Sequence, residues 1–134
     1  MKALIPLMMG LFTMAAQAAT PNAILAGYSD EAARQNPRFQ TSPELGEHLY
    51  TRRFKTSVEM PSCRSCHGDD PSLGGSHVLT GEAIRPLAPV ANAERFRDPA
   101  KVEKWFSRDC SEVIGRECSA AEKADFIAFV MQVR

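Results

Sequence analysis

Cys63-Arg64-Ser65-Cys66-His67 sets two thiols three positions apart, with an imidazole directly after the second. This is the spacing at which c-type haem is attached. Each thiol adds to one vinyl group of the porphyrin, and two intervening residues let one helical turn present both sulfurs to the ring edge. The next residue then lies under the iron, where an imidazole nitrogen can bind axially. A redox dithiol or half of a zinc site also uses two cysteines at this spacing. The adjoining histidine and the exported character of the chain favour haem c, one per chain, over both.

That character is written at the start of the sequence. Met1-Lys2 precedes a largely apolar, uncharged run from Ala3 to Ala15, and Ala16-Gln17-Ala18 supplies the small-x-small pattern of a signal-peptidase site. The run is too short and wrongly flanked for a stable membrane span, although an uncleaved N-terminal anchor is the alternative to a leader. Residues 1–18 are therefore expected to be a cleaved signal peptide and residues 19–134 a single haem domain in the periplasm, long enough for one core. The 134-residue chain balances 16 Lys and Arg against 16 Asp and Glu, so no basic excess points to nucleic acid.

With Cys63 and Cys66 given to haem, Cys110 and Cys118 remain. An oxidising compartment favours a disulfide between them over two free thiols. Closing so short a loop is worth about 2.5 kcal/mol by chain-entropy arithmetic.

The elements that must position these groups read as helices and loops, giving an all-α fold. A first helix is expected over about Pro21 to Arg34, with Ile24, Leu25 and Tyr28 as its apolar stripe. Ser42-Pro43 combines a cap with proline at the first helical position and opens a helix to about Arg53, with Leu45 and Leu49 facing inward. Gly46 there permits close approach of another helix. Residues 68–98, rich in Gly, Pro, Asp and Ser, form a long irregular segment suited to wrapping a flat cofactor. Asp98-Pro99 repeats the cap signal and starts a helix to about Arg108 or Asp109, with Val102, Trp105 and Phe106 on one face. Ser119-Ala120-Ala121-Glu122 is a capping box that opens the final helix, whose stripe is Phe126, Phe129, Val130 and Val133.

The second axial position of the iron is less conventional. Met1, Met8, Met9 and Met14 belong to the leader, Met60 precedes the motif by three residues, and Met131 lies on the final helix as a core residue. No methionine falls between His67 and Ser119, so histidine–methionine ligation is not expected. Asp109 follows Val102 by seven, Trp105 by four and Phe106 by three, which projects it from the apolar face of its helix. A carboxylate is costly to bury there unless a positive partner such as ferric iron meets it. Alternatively Asp109 lies past the helix end, solvated. His77 is a second candidate, with a surface role favoured; His48 reads as a surface or propionate-side residue. Arg85, Arg53 and Tyr50 are candidate propionate partners, and Trp105 either packs on the porphyrin or fills the core.

Several segments carry a family resemblance. Pro61-Ser62-Cys63 through His67-Gly68, Thr80 through Pro89, Arg95-Phe96-Arg97-Asp98 with Val102-Glu103-Lys104-Trp105, and above all Arg108 through Cys118 resemble the SHP class of oxygen-binding c-type cytochromes and the related cytochrome c''. The resemblance covers nearly all of residues 19–134. It implies a class I-like cytochrome c fold, helices wrapped around one covalently attached haem, a Cys110–Cys118 disulfide, and a distal ligand immediately before the first cysteine of that pair. In SHP that ligand is asparagine and in cytochrome c'' histidine; it detaches on reduction and leaves a site for dioxygen, nitric oxide or carbon monoxide. This chain departs from both with Asp109. A hard anionic donor suits ferric iron better than ferrous, so a high-spin or mixed-spin ferric state with Asp109 or water as sixth ligand is expected, with an open ferrous site. An unbound carboxyl could instead hydrogen-bond a distal water or gas.

The resulting expectation is an electron carrier with a labile sixth ligand that also binds diatomic gases. Its redox partners by resemblance are a dihaem cytochrome c and a membrane cytochrome b. The alternative is a haem enzyme reducing oxygen, nitric oxide or peroxide; a haem-free thiol oxidoreductase using Cys63 and Cys66 is the third class.

Overall fold

Three helices begin where a cap residue meets a proline, and in each the cap oxygen satisfies backbone N–H groups that the first helical turn leaves open. In the computed structural model, which describes residues 18–134, Thr20 caps α1 (Pro21–Gln35) by accepting from Ala23 N. Ser42 caps α2 (Pro43–Thr51) by accepting from Leu45 N. A four-residue helix, α3 (Arg64–His67), follows, then the two-residue strands β1 (Gly75–Ser76) and β2 (Ala83–Ile84). Asp98 caps α4 (Pro99–Val113) by accepting from Ala100 N and Lys101 N. The reciprocal capping box of Ser119 and Glu122 opens α5 (Ala120–Gln132). The leader expected over residues 1–18 lies outside the described residues apart from Ala18.

The architecture is all-α, with one small addition. β1 and β2 pair antiparallel, Gly75 opposite Ile84 and Ser76 opposite Ala83, and close the loop that carries His77. Two expected boundaries shift. α2 stops at Thr51, where Arg52 turns extended, leaving Arg53 outside the helix. α4 runs past Asp109 to Val113, so Asp109 is an interior helical residue. The physical stop is Gly115, at φ 85°; the N–H groups of Ile114 and Gly115 both reach back to the carbonyl of Cys110.

α5 packs against α1 and α2, and the core gathers Ile24, Tyr50, Leu87, Phe96, Val102, Ile127 and Val130. Gly46 makes the α2–α5 approach possible, since a Cβ there would lie 2.0 Å from the carbonyl oxygen of Asp125. Asp125 in turn accepts from Ser42 N at 2.8 Å. This approach turns Leu45 outward, 60% exposed, where an inward position was expected; Leu49 stays half-buried. On α5 the fully buried positions are Ala124, Ile127 and Val130, with Phe126 and Phe129 half-buried beside them.

α4 is tied in by side chains. The Tyr28 hydroxyl donates to Glu103 at 2.7 Å, and Lys123 Nζ, itself buried, reaches the same carboxylate at 2.7 Å. Phe106 meets Tyr28 and Phe126 edge-to-face, with ring centroids 5.8 and 5.6 Å apart. A Cys110–Cys118 disulfide, Cα–Cα 5.7 Å, closes the α4–α5 turn. Within that turn Arg116 forks onto Glu122 at 2.8 and 2.6 Å, joining the disulfide loop to the first turn of α5.

Two consequences are measurable. Gly46→Ala should lower unfolding stability by about 3 kcal/mol, since backbone must give way, whereas Leu45→Ala should stay within about 0.5 kcal/mol; denaturant titration separates them. The Arg116 guanidinium, helped by the Ser119 N–H and opposed by burial, holds the Glu122 carboxyl down at about 2 from an ordinary 4.5. A carboxyl whose folded pKa is depressed stabilises the fold above its unfolded value, and that contribution fades as pH falls from 4.5 through 2. Stability measured across this window should decline less in Glu122→Gln than in the parent chain.

Candidate haem site

A four-residue helix is too short to hold itself in water, so the geometry of Cys63 to His67 is imposed from outside. The Cys66 and His67 N–H groups both bond the Cys63 carbonyl, at 3.3 and 3.1 Å, and Ser62 N donates to Ser65 Oγ at 3.2 Å. Arg64 pairs with Asp69 across the end of the turn. The hydroxyl of Tyr50, fully buried on α2, donates to the Gly68 carbonyl at 2.7 Å. From the other side β1 presses against α3, and a Cβ on Gly75 would sit 2.0 Å from the Cys66 carbonyl oxygen. α2 and the β pair thus clamp the motif between them.

The clamped motif faces a cavity of about 730 Å³, within the range of roughly 300–1,000 Å³ that small-molecule and cofactor sites occupy. Cys63, Cys66 and His67 line it from α3, and Val102, Trp105, Phe106, Asp109 and Val113 from α4. The irregular segment supplies Ile84, Leu87, Arg95 and Phe96. Phe96 is buried yet sits at φ 55°, a left-handed conformation that costs an L-residue about 1–2 kcal/mol. The turn at Arg95–Phe96 is therefore held by its surroundings rather than by local preference.

The donor set suits a haem. Burial first, then the charge of Arg95, brings His67 down to about 4, with Asp109 opposing and Arg108 adding to the fall. The imidazole is neutral at pH 7 and its lone pair is free to bind a metal. Burial, followed by the nearby Asp109 charge, pushes the Cys63 thiol up to about 12. A reactive thiol needs the opposite, a lowered pKa, so Cys63 is poorly built as an attacking thiolate. Among the described residues no group of three or more His, Cys, Asp or Glu side chains gathers to hold a metal ion, which leaves the zinc alternative without partners.

Asp109 lines the same cavity as His67, and its charge acts on both His67 and Cys63. Its Oδ1 accepts from Arg108 Nε at 2.6 Å, both side chains being about half exposed. His77 borders the cavity and is also half-exposed; its Nδ1 accepts from Leu79 N and Thr80 N, each at 3.3 Å. Met60 lies on the wall and Met131 packs against the core. His48 is exposed on α2. Of the residues considered for propionates, Arg85 lines the cavity, Tyr50 spends its hydroxyl on Gly68, and Arg53 is exposed and off the wall. Trp105 is half-buried on the wall. Sequence reading missed Arg95, which stacks over Trp105 with its guanidinium carbon 4.9 Å from the ring centroid.

Comparison with known proteins agrees with this geometry. A family model described as a domain of unknown function (DUF1924) matches residues 36–130. The cytochrome c-type protein SHP of Cereibacter sphaeroides is 42% identical over 112 residues, covering 83% of this chain and 82% of that protein. The structure of oxidised SHP, an oxygen-binding cytochrome c, superimposes with a TM-score of 0.77 at 38% identity, covering 84% of this chain and 96% of that one. Cytochrome c'' of Methylophilus methylotrophus is 38% identical over 126 residues, 90% of this chain and 87% of that protein. Its solution structure, which addresses the basis of haem-ligand detachment, matches with a TM-score of 0.74 at 36% identity over 84% of this chain and 92% of that one. Fold and site together define a helical c-type cytochrome carrying covalent haem c. More narrowly, the chain belongs to the DUF1924 family and to the family of SHP and cytochrome c''.

Proposed function

We propose that this chain is an exported monohaem electron carrier whose distal ligand, Asp109, leaves on reduction and opens a site for dioxygen, nitric oxide or carbon monoxide. The observation that carries the reading is that His67 and Asp109 line one cavity, with the carboxylate close enough to act on the imidazole. In it, Cys63 and Cys66 form the thioether bonds and neutral His67 is the proximal ligand. Haem supplies an iron that cycles between ferric and ferrous states and takes up diatomic gas when reduced.

The residues around Asp109 bear on its lability. A carboxylate satisfies ferric iron better than ferrous, and Arg108 stands beside it as a competing partner at 2.6 Å. A half-exposed pair of this kind is worth about 0–1 kcal/mol. That is enough to bias a ligand already weakened by reduction and too little to strip it from ferric iron. Cys110, directly after Asp109, is anchored by the disulfide, which limits the switch to side-chain rotation. The same reading takes residues 1–18 as the leader, so the mature chain would begin at Ala19 in the periplasm. Redox partners of the kind expected there are a dihaem cytochrome c and a membrane cytochrome b.

Asp109→Ala should change the ferric optical and magnetic spectra while scarcely altering ferrous carbon monoxide binding; an unchanged ferric spectrum removes Asp109 from the coordination sphere. Arg108→Gln should shift the ferric–ferrous equilibrium toward ferric by up to about fivefold. That shift should shrink when Asp109 is already alanine, leaving the direct effect of the Arg108 charge on the site, and redox titration of the four proteins in this cycle reads the coupling directly.

A further inference from the structure

Arg95 is a half-buried cation that makes no ion pair among the described residues. Its Nε donates to the Pro86 carbonyl at 2.8 Å and its Nη2 to the Arg85 carbonyl at 2.9 Å. Its planar face lies over Trp105. Both bonds go to neutral oxygens, and among the described residues no carboxylate stands within ion-pair distance of it. The nearby Asp109 is taken by Arg108. The Arg85 side chain, also on the cavity wall and likewise without an ion-pair partner among the described residues, adds a second positive charge close by. Half-burying a cation without a counter-charge is costly, and the charge of the exposed Arg85 beside it adds repulsion. The turn that carries Arg95 is moreover held in strained backbone at Phe96. Held by two carbonyls and an indole on the cavity wall, Arg95 is placed to meet an anion carried by the cavity's occupant.

We propose that Arg95 is the seat of a haem propionate, with Arg85 flanking it at the cavity rim. The guanidinium is pre-set: Nε and one Nη2 hydrogen are committed to backbone, which leaves Nη1 and the second Nη2 hydrogen as a fork of free donors for a carboxylate. The assignment replaces Tyr50 and Arg53, whose groups are engaged or placed elsewhere. It rests on haem occupying the cavity but not on Asp109 being a ligand. Its functional consequence is electrostatic. Arg95 neutralises a negative charge at the porphyrin edge and, acting also on His67, holds the ferrous state within reach.

Holoprotein variants Arg95→Gln and Arg95→Lys test it through the propionate bending frequency in resonance Raman spectra and through redox titration. Arg95→Gln should shift the bending mode and move the ferric–ferrous equilibrium about tenfold toward ferric, equivalent to about 59 mV for one electron. Arg95→Lys should restore most of the equilibrium, because the charge returns, but not the mode, because the fork does not. Unchanged bending modes in both variants would overturn the assignment. So would a redox shift without a mode change, which is the signature of a charge acting through space alone. If the glutamine variant does not accumulate with haem, the mode in Arg95→Lys decides. Arg53→Gln, at an exposed residue off the cavity wall, is the control that should leave the propionate mode where it was. A pyridine haemochrome assay on the parent protein separates failure of the haem reading from failure of this one.

Discussion

Everything at this site depends on keeping five consecutive residues, Cys63 to His67, in helical register beside a space that protein alone does not fill. The helix is too short to persist by its own hydrogen bonds, so its geometry is borrowed. Tyr50 secures its C-terminal end, and Gly75 lets a strand press against its backbone. The positions of Tyr50 and Gly75 are set in turn by the α2–α5 packing at Gly46 and by the β1–β2 pairing. The all-helical scaffold is therefore less a container than a chain of supports that ends at two sulfurs and one imidazole nitrogen.

The opposite wall follows a different logic. α4 is joined to the rest by Tyr28–Glu103–Lys123, by aromatic edges and by the disulfide, leaving its inner face to meet the cofactor. Charges that would be intolerable in an ordinary core, Asp109 and Arg95, are placed on the cavity boundary. One stands on α4 and the other on the irregular segment that follows β2. Under the proposed reading, their opposite charges match a ligand that is cationic at its centre and anionic at its edge.

How much of this was legible in the sequence depended on whether the cause was local. Ser42, Asp98 and the Ser119–Glu122 box announced their helices because capping is a matter of a few neighbouring residues. The expected end of α4 at Arg108 or Asp109 fell short although Gly115 carries the stop signal; Cys110 tethers a helix that continues past it. Strands two residues long have no alternation to read, and β1–β2 exists because residues 75 and 84 are brought together by the loop. Leu45 looked inward by periodicity, but the close seat at Gly46 rotates α2 and exposes it. On the site, the motif around His67 and the position of Asp109 on an apolar face could be read directly. Arg95 could not, since what singles it out is the absence of a counter-ion, a property of three-dimensional surroundings.

The disulfide between Cys110 and Cys118 has a consequence for biogenesis. Four thiols can be joined in three ways, and an oxidant acting on the unfolded polypeptide has no chemical reason to spare the neighbours at 63 and 66. Vinyl addition needs those two reduced, while the clasp after Asp109 needs the other two oxidised. Maturation must therefore run two opposed chemistries on one molecule, separated in time or by a reductant that distinguishes one pair from the other.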